Sequence, residues 1–374
     1  MVKYLLAQLL IISLISGCAN QYIKDHSEAP LFSKEKVEVV ANLSKPPGNI
    51  AVSNDHRIFF TFHPEADPEI KVAELVEGHV RPFPDAEFQE ERDNLPFFDT
   101  VLSLRVDSNN RLWTLDHGYF GIRQPRLLAF DIKTGEIVHQ YDFSSDIAGF
   151  GSFLNDFQVD PSGKTILIAD TGAPVPVIGG DPAIIVYEIE KKTARRILED
   201  HDSVRATSNT LRVGENDFKL MGIPIHIAVD SIALSRDAEW LYYAAVNSEK
   251  LFRIQTKNLM DPDMQEEALA STVETFADKS MSDGITTDMD GNIYISDMEN
   301  SAVHIIGQDR RLKTLLKDPE FRWPDGFSFG PDGWLYFTCS SLMDVIGQSA
   351  SHIESQAPYQ IYRFQPGSKG VPGH

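Results

Sequence analysis

The sequence predicts an all-β fold, a six-bladed β-propeller closed by its N-terminal strand, and three observations lead to this prediction. A short strand, a tight turn rich in Asp, Gly, Asn and Ser, and a second short strand recur six times, with turns near positions 55, 109, 162, 237, 290 and 332. Successive turns are separated by roughly 40 to 75 residues, close to the period of propeller blades. No long helical periodicity interrupts the pattern.

The fifth repeat shows the pattern most clearly. The turn at 290–292 reads Asp-Gly-Asn, and residues 293–296 alternate between apolar and polar side chains. Two further apolar runs follow at 302–306 and 312–316. Four short antiparallel strands in sequence form one blade, and six blades arranged radially bury one another's faces.

The N-terminal segment 37–43 alternates as a strand but has no hairpin partner nearby. The last hairpin is followed by a loop and then by a single strand at 359–364, so the C-terminal blade is one strand short. We therefore expect residues 37–43 to complete that blade and close the ring.

Composition limits the function classes. The chain is 42% hydrophobic, which is ample for a core, and its formal net charge is -21 with a pI near 4.9. Sequence-independent nucleic-acid binding needs a basic surface, so no nucleic-acid partner is expected. The acidity favours a soluble extracytoplasmic protein.

The first seventeen residues resemble a targeting segment. Lys3 provides a minimal positive region, residues 5–14 are apolar but too short to span a bilayer, and residues 14–18 resemble a bacterial lipobox ending at Cys18. We expect lipidation at Cys18, which would attach the chain to the bacterial cell envelope, on the periplasmic or outer-membrane face, by its acyl chains only. The alternatives are an ordinary secreted signal or an uncleaved anchor.

The expected organisation is therefore a signal peptide at 1–17, a tether at 18–33 and a propeller at 34–368. Lipidation of Cys18 would leave Cys339 unpaired. Since Cys339 ends an apolar strand, we interpret it as a buried, inert thiol.

Four polar residues occupy one repeat position, about five residues before a turn: Asn155, Asp230, Asp283 and Asp325. Equal positions in radial blades should converge on the axis. Converging carboxylates repel one another unless a cation lies between them, and hard oxygen ligands suit Ca²⁺ or Mg²⁺, with Ca²⁺ favoured here. The alternative is that each Asp binds backbone at its own strand start.

His226 precedes Asp230 by four residues and is a candidate catalytic residue near the channel mouth, together with Asp283. A lone histidine is more often structural, and that alternative stays open. Asn155 is also a candidate for substrate binding. The chain has no nucleophile elbow, P-loop or dinucleotide-binding fingerprint.

Two longer sequence motifs are more specific than the repeated turns. Residues 111–118 read Arg-Leu-Trp-Thr-Leu-Asp-His-Gly, and residues 125–131 read Pro-Arg-Leu-Leu-Ala-Phe-Asp. With the later segments 232–235 and 241–243, they resemble the yellow/major royal jelly protein family over most of residues 95–365, as a bacterial lipoprotein member. This resemblance implies a six-bladed propeller, a link to dopachrome conversion, and binding of small amines in the central channel.

The blade starts are also similar to the gluconolactonase/senescence-marker and strictosidine-synthase propellers. In those families, polar residues at the starts of the innermost strands form a divalent-metal and substrate site. Asn155, Asp230 and Asp283 match that pattern, with Asp230 standing for an Asn. The Glu expected in the first blade is absent, and Gly48 and Asn49 stand there instead.

Two main hypotheses follow for the small-molecule site. The first is an enzyme, a metal-assisted lactone hydrolase or a tautomerase-like activity, in which a channel carboxylate takes a proton. The second is a non-catalytic binder of small amine or aromatic ligands. A bound divalent ion would favour the hydrolase, whereas an ion-free acidic pocket would favour the binder. A third hypothesis, a protein-interaction scaffold, would require a large apolar surface patch.

Overall fold

Six four-stranded antiparallel sheets form the six blades of a β-propeller, as the sequence predicts. The computed structural model describes residues 29–93, 95–174 and 179–374. The predicted signal peptide at 1–17 and Cys18 lie outside the described residues. Within the described part of the chain, no helix combines the length and the apolar character that crossing a bilayer requires.

The strands follow the chain in order, and blades 1 to 6 are numbered by their innermost strands. The N-terminal strand and blades 1 to 3 comprise β1 (Glu38–Leu43), β2 (Pro47–Val52), β3 (Ile58–Phe62), β4 (Val72–Val76), β5 (His79–Pro82), β6 (Val101–Val106), β7 (Arg111–Asp116), β8 (Arg126–Asp131), β9 (Ile137–Asp142), β10 (Leu154–Val159), β11 (Thr165–Asp170), β12 (Ala183–Glu188) and β13 (Thr193–Ile197).

The connection after blade 3 carries two small hairpins, and blades 4 to 6 follow. These elements are β14 (Arg212–Val213), β15 (Asn216–Asp217), β16 (Lys219–Leu220), β17 (Ile223–Pro224), β18 (Val229–Leu234), β19 (Trp240–Ala245), β20 (Lys250–Gln255), β21 (Glu274–Asp278), β22 (Ile285–Thr287), β23 (Ile293–Asp297), β24 (Ala302–Ile306), β25 (Leu312–Lys317), β26 (Pro324–Phe329), β27 (Leu335–Cys339) and β28 (Tyr359–Phe364).

Helical structure is minor and lies in the connections. The α-helical turns are α1 (Gly118–Gly121), α2 (Thr256–Met260), α3 (Glu266–Ala270) and α4 (Ala350–Ser355), and 3-10 turns span Lys34–Lys36, Pro64–Ala66, Glu87–Gln89 and Leu342–Asp344.

The innermost strands β2, β6, β10, β18, β22 and β26 form a closed ring in which each strand neighbours the next and β26 neighbours β2. Strands such as β6, β10 and β18 are buried along their whole length, because both faces of each blade pack against neighbouring blades. The end of the ring where these strands start is called the upper end below. The lower end carries the hairpin turns to the second strands.

Blade 6 is completed by the N-terminal strand. β1 pairs antiparallel with β28, with Leu43 opposite Tyr359 and Glu38 opposite Arg363. The Arg363 guanidinium also lies 2.7 Å from the Glu38 carboxylate across the strands. β1 therefore occupies the outer edge of the sheet that β28 would otherwise leave unpaired.

The segment before β1 is not wholly a tether. Although residues up to 33 were expected to be irregular, the backbone N–H groups of Leu31 and Phe32 donate to the carbonyls of Thr314 and Leu315 at 3.0 and 2.9 Å. The chain is therefore attached to the edge of blade 5 from residue 31 onwards.

The C-terminal segment 366–374 crosses the lower end of the ring. The N–H of Val106 donates to the Gly373 carbonyl (3.2 Å), the N–H of Gly373 donates to Phe329 (3.1 Å), and the N–H of Phe329 donates to His374 (3.0 Å). The His374 ring nitrogen Nδ1 lies 2.8 Å from the Gln158 side-chain oxygen. The segment thus connects blades 2, 3 and 6 below the channel.

Candidate axial binding site

A cavity of about 390 Å³ opens at the upper end of the ring and takes lining residues from all six blades. Polar side chains at the starts of the innermost strands form what we call the acidic floor: Asn49, Asn155, Asp156, Asp230, Asp283 and Asp325. Side chains of the surrounding loops form the apolar wall, chiefly Tyr119, Phe120, Phe153, Ile225, Ile227 and Leu342. The combination of a few polar groups with apolar walls is typical of small-molecule sites.

The structure brings the four residues of the common repeat position together, since Asn155, Asp230, Asp283 and Asp325 all line this cavity. Their side chains also bond to side chains of other elements. The Asn155 amide Nδ2 donates to Asp230 Oδ2 at 2.5 Å, and the indole Nε1 of Trp323 donates to Asp283 Oδ2 at 2.6 Å. These two carboxylates therefore accept from side chains of other elements, which binding to their own strand starts alone would not give.

The acidic floor is electrostatically strained. Burial and the neighbouring Asp283 raise the pKa of Asp230 and of Asp325 well above the usual range. Burial raises the pKa of Asp283 itself to about 7, with the Trp323 hydrogen bond acting in the opposite direction. A cation in the cavity would favour the ionised form of all three carboxyls.

The sequence analysis missed the floor residue Asp156 and its partner Arg105, which does not itself line the cavity. The Asp156 carboxylate accepts from Asn49 Nδ2 (2.8 Å) and Ser103 Oγ (3.0 Å), and it lies 3.4 Å from Arg105 Nη2. Arg105 is only 2% exposed and also donates to the Asn49 side-chain oxygen. Arg105 thus neutralises Asp156 and leaves the other three aspartates to share the cavity.

A strand irregularity explains how Asp156 reaches the floor. Strict alternation would place Asn155 and Asp156 on opposite faces of β10. The pairing of β10 with β11 shifts register between Leu154 and Phe157, and both residues line the cavity. In the sequence, Arg105 stands between Leu104 and Val106 in a mostly apolar strand, and this pattern could have indicated a buried arginine.

The residues supply hard oxygen donors but do not form a metal cage as they stand. Among the described residues, no group of three or more His, Cys, Asp and Glu side chains is arranged to hold an ion. Amide nitrogens of Asn155 and Asn49 already occupy oxygens of Asp230 and Asp156. The predicted Ca²⁺ site therefore stays a prediction.

His226 does not line the cavity. It is exposed, whereas its neighbours Ile225 and Ile227 belong to the apolar wall. Exposure alternates along residues 225–227, so the His226 side chain is exposed where both neighbours are at least partly buried. This position does not support the catalytic role predicted for His226.

Cys339 is a free, buried thiol in β27, in agreement with the interpretation of its position in the sequence.

The connection between blades 3 and 4 forms part of a roof over the cavity. Its hairpins β14–β15 and β16–β17 are followed by the wall residues Ile225 and Ile227. Phe218 packs against Trp323 with ring centroids 4.9 Å apart, and Trp323 donates to Asp283. The roof and the acidic floor are thus connected through one indole ring.

Solved structures of other proteins share this fold. A luciferin-regenerating enzyme superposes with a TM-score of 0.60 at 14% identity, over 90% of this chain and 97% of its own. A calcium-binding protein, regucalcin, from Agrobacterium tumefaciens gives 0.57 at 17% identity, over 92% and 98%. A putative gluconolactonase gives 0.58 at 13% identity, over 90% and 93%. At these identities the likeness concerns the fold alone.

Sequence comparison identifies the family. Major royal jelly protein 3 of Apis mellifera is 23% identical over 245 residues, which is 63% of this chain and 42% of that protein. Major royal jelly protein 6 of Apis mellifera is 26% identical over 198 residues, 50% of this chain and 42% of that protein. The matches thus span less than half the length of these relatives. The family model described as major royal jelly protein matches residues 100–317, and the chain belongs to that family.

Proposed function

We propose that the axial cavity binds a small organic molecule that carries a positive charge. The observation that carries this proposal is that three aspartates, the buried Asp230 and the half-buried Asp283 and Asp325, line one cavity beneath an apolar wall. Arg105 pairs with Asp156, so the positive charge of Arg105 does not offset the charges of the other three aspartates. An ammonium group would offset the mutual repulsion of the three carboxyls, and aromatic residues of the wall would pack against the rest of the ligand.

The test is isothermal titration calorimetry with phenethylamine, a small aromatic amine. We expect binding to the wild type and affinity roughly tenfold weaker in Asp283→Asn, because a hydrogen bond to a charged group contributes about 1.5–3 kcal/mol. The matched control is Asp263→Asn, a substitution at an exposed aspartate, which should leave affinity unchanged. Equal affinities for wild type and Asp283→Asn would contradict the proposal.

A second candidate is catalysis in the same cavity, by a tautomerase-like enzyme or a metal-assisted lactone hydrolase. The pKa of Asp283, raised to about 7 by burial, favours it, because general acid–base catalysis works best when the pKa lies near the working pH. In the hydrolase form, Asn155, Asp230 and Asp283, with Asp325, would hold a divalent ion that polarises the substrate carbonyl. Asn155 would first have to release its hydrogen bond to Asp230.

Elemental analysis of protein purified without added metal distinguishes the candidates. A bound ion, together with a melting temperature that rises with Ca²⁺ concentration and no longer does so in Asp283→Ala, would support the hydrolase. Asp263→Ala should keep the Ca²⁺ response, because that aspartate is exposed. An ion-free protein with no response to Ca²⁺ would exclude the metal-assisted reaction.

We also propose that Cys18 is lipidated and attaches the chain to the bacterial cell envelope, on the periplasmic or outer-membrane face. The lipobox at residues 14–18 supports this proposal, and Cys18 lies outside the described residues. Cys18→Ser should move the protein out of the membrane fraction or block its processing, as followed by immunoblotting of cell fractions. Wild-type protein that is soluble and unlipidated in its native host would contradict it.

A further inference from the structure

We infer that His63 determines ligand selectivity in the axial cavity, because its Nε2–H donates a hydrogen bond to an oxygen of the bound molecule. This inference rests on the proposed function and adds a second requirement. The ligand then carries an acceptor oxygen as well as a positive charge.

His63 lies where it can contact a ligand. It follows β3 in blade 1, is 7% exposed, and lines the same cavity as the acidic floor. Its N–H donates to the Pro46 carbonyl at 2.9 Å, and a Cβ built on Gly48, the neighbour of Asn49, would lie 3.8 Å from the His63 Cα. The backbone of His63 is therefore held beside the start of β2.

The hydrogen bonding of the ring defines its tautomer. Nδ1 lies 3.3 Å from the backbone nitrogen of Glu65, at the start of the 3-10 turn Pro64–Ala66. A backbone N–H only donates, so Nδ1 accepts, and in the neutral ring the proton is on Nε2. Burial lowers the pKa of His63 to about 4, and the ring is thus neutral near pH 7.

The Nε2–H has no protein partner among the described residues, although the side chain is more than nine-tenths buried. Nε2 itself is not fully enclosed by protein and stays accessible from the cavity that the ring lines. A donor without a protein partner at the wall of a mostly apolar cavity can therefore bind an oxygen of the ligand.

His117 provides an internal comparison. Its Nδ1 also accepts from a backbone N–H, that of Phe120 at 3.1 Å, and its ring packs against Phe120 and Phe153 with centroids 5.4 and 4.8 Å apart. His117 is not among the residues that line the cavity. The two buried histidines share one capping role, and His63 has the additional contact with the cavity.

The experiment compares phenethylamine with its 2-, 3- and 4-methoxy isomers, which add an acceptor oxygen but no donor. Calorimetry on the wild type should show at least one isomer binding roughly 2- to 12-fold more tightly than phenethylamine, the ratio given by one hydrogen bond. His63→Asn keeps an acceptor for the Glu65 N–H and removes the Nε2–H, so the ratio should fall to about one. His63→Gln, with an amide N–H near the Nε2 position, should retain part of it.

The outcomes separate the two levels of the proposal. If the wild type binds phenethylamine and its methoxy isomers equally, or if His63→Asn keeps the preference, the role of His63 is wrong and the proposed function stands. His117→Asn should keep the preference. If no amine binds the wild type, the proposed function is wrong and this inference with it. Nitrogen-edited NMR that finds the proton of His63 on Nδ1 would also overturn the inference, independently of any ligand.

Discussion

Aspartates occur at both ends of the innermost strands, and the structure holds them in different ways. At the lower end, Asp288 accepts from the N–H groups of Asp290 (2.9 Å) and Asn292 (2.8 Å), from the Asn292 side chain (2.8 Å) and from the Tyr294 hydroxyl (2.8 Å). At the upper end, Asp283 accepts from the Trp323 indole. A carboxylate has about four acceptor sites, so Asp288 is saturated and Asp283 has capacity left for a ligand.

The same arrangement recurs in blade 2. Asp107 accepts from the N–H groups of Asn109 (2.9 Å) and Arg111 (3.0 Å), from Arg111 Nε (2.7 Å) and from Trp113 Nε1 (2.8 Å). Both lower-end aspartates thus accept from donors two, four and six residues later in the sequence, and these hydrogen bonds stabilise the hairpin turn. The number of donors around each carboxylate, more than its burial, separates structural from candidate functional aspartates.

The largest expected effect concerns the lower end. Asp288→Ala would leave the hydroxyl of Tyr294, a residue only 1% exposed, and several turn amides without an acceptor. We expect the free energy of unfolding to fall by about 3 kcal/mol, as measured by urea denaturation. The exposed Asp263→Ala should change it by less than about 0.5 kcal/mol. A small loss in Asp288→Ala would show that the saturated aspartates are not structural.

An intermediate effect is expected where the C-terminal segment crosses the lower end. Gly373 has φ +87° and an added Cβ would overlap the Val106 carbonyl oxygen, so Gly373→Ala should cost about 2 kcal/mol in thermal or chemical unfolding. Gly367 also has a positive φ, +97°, but an added Cβ would meet no atom within 4 Å. Gly367→Ala is therefore the control, and equal costs would show that the contact with Val106 is unimportant. Amine affinity at the upper end should be unchanged in both variants.

The smallest effect is a gain in stability at the upper end. The Asp283 pKa is about 7 in the folded protein and ordinary, near 4, in the unfolded chain, so the unfolded chain releases this proton first and stability falls as pH rises from about 4 to 7. Asp283→Asn keeps an acceptor for Trp323 and removes the fall. At pH 5, where only the first part of the fall has occurred, it should stabilise the protein by about 1 kcal/mol, and at pH 3 by almost nothing. Lower stability of the variant at pH 5 would contradict the strain assigned to the acidic floor.

Much of the fold could be predicted because its signals are local. The Asp/Gly turns lie where the sequence pattern places them, and the strand bounds in blade 5 agree closely with the apolar runs at 302–306 and 312–316. The floor residues of the common repeat position could also be found, because equal positions in radial blades meet at the axis.

The remainder of the site depends on features that a periodic pattern does not contain. Asp156 reaches the floor through a register shift, and Arg105 pairs with Asp156 from near the end of a buried strand. His63 is a single loop residue whose importance comes from an unpaired ring nitrogen beside a cavity. His226 lies outside the cavity although its neighbours Ile225 and Ile227 line it, a difference that sequence spacing alone does not show.

The segment 366–374 has a kinetic consequence. Because it crosses the lower end, and because the acidic floor lies between that end and the cavity, a ligand in the described part of the channel would exchange with solvent through the upper end. The roof over that end includes the β16–β17 hairpin, whose tip residue Met221 is 94% exposed. A ligand would then enter and leave past the roof, whereas the floor and wall would select it. Sequence changes in the hairpin could lengthen or shorten occupancy without altering which molecules are bound.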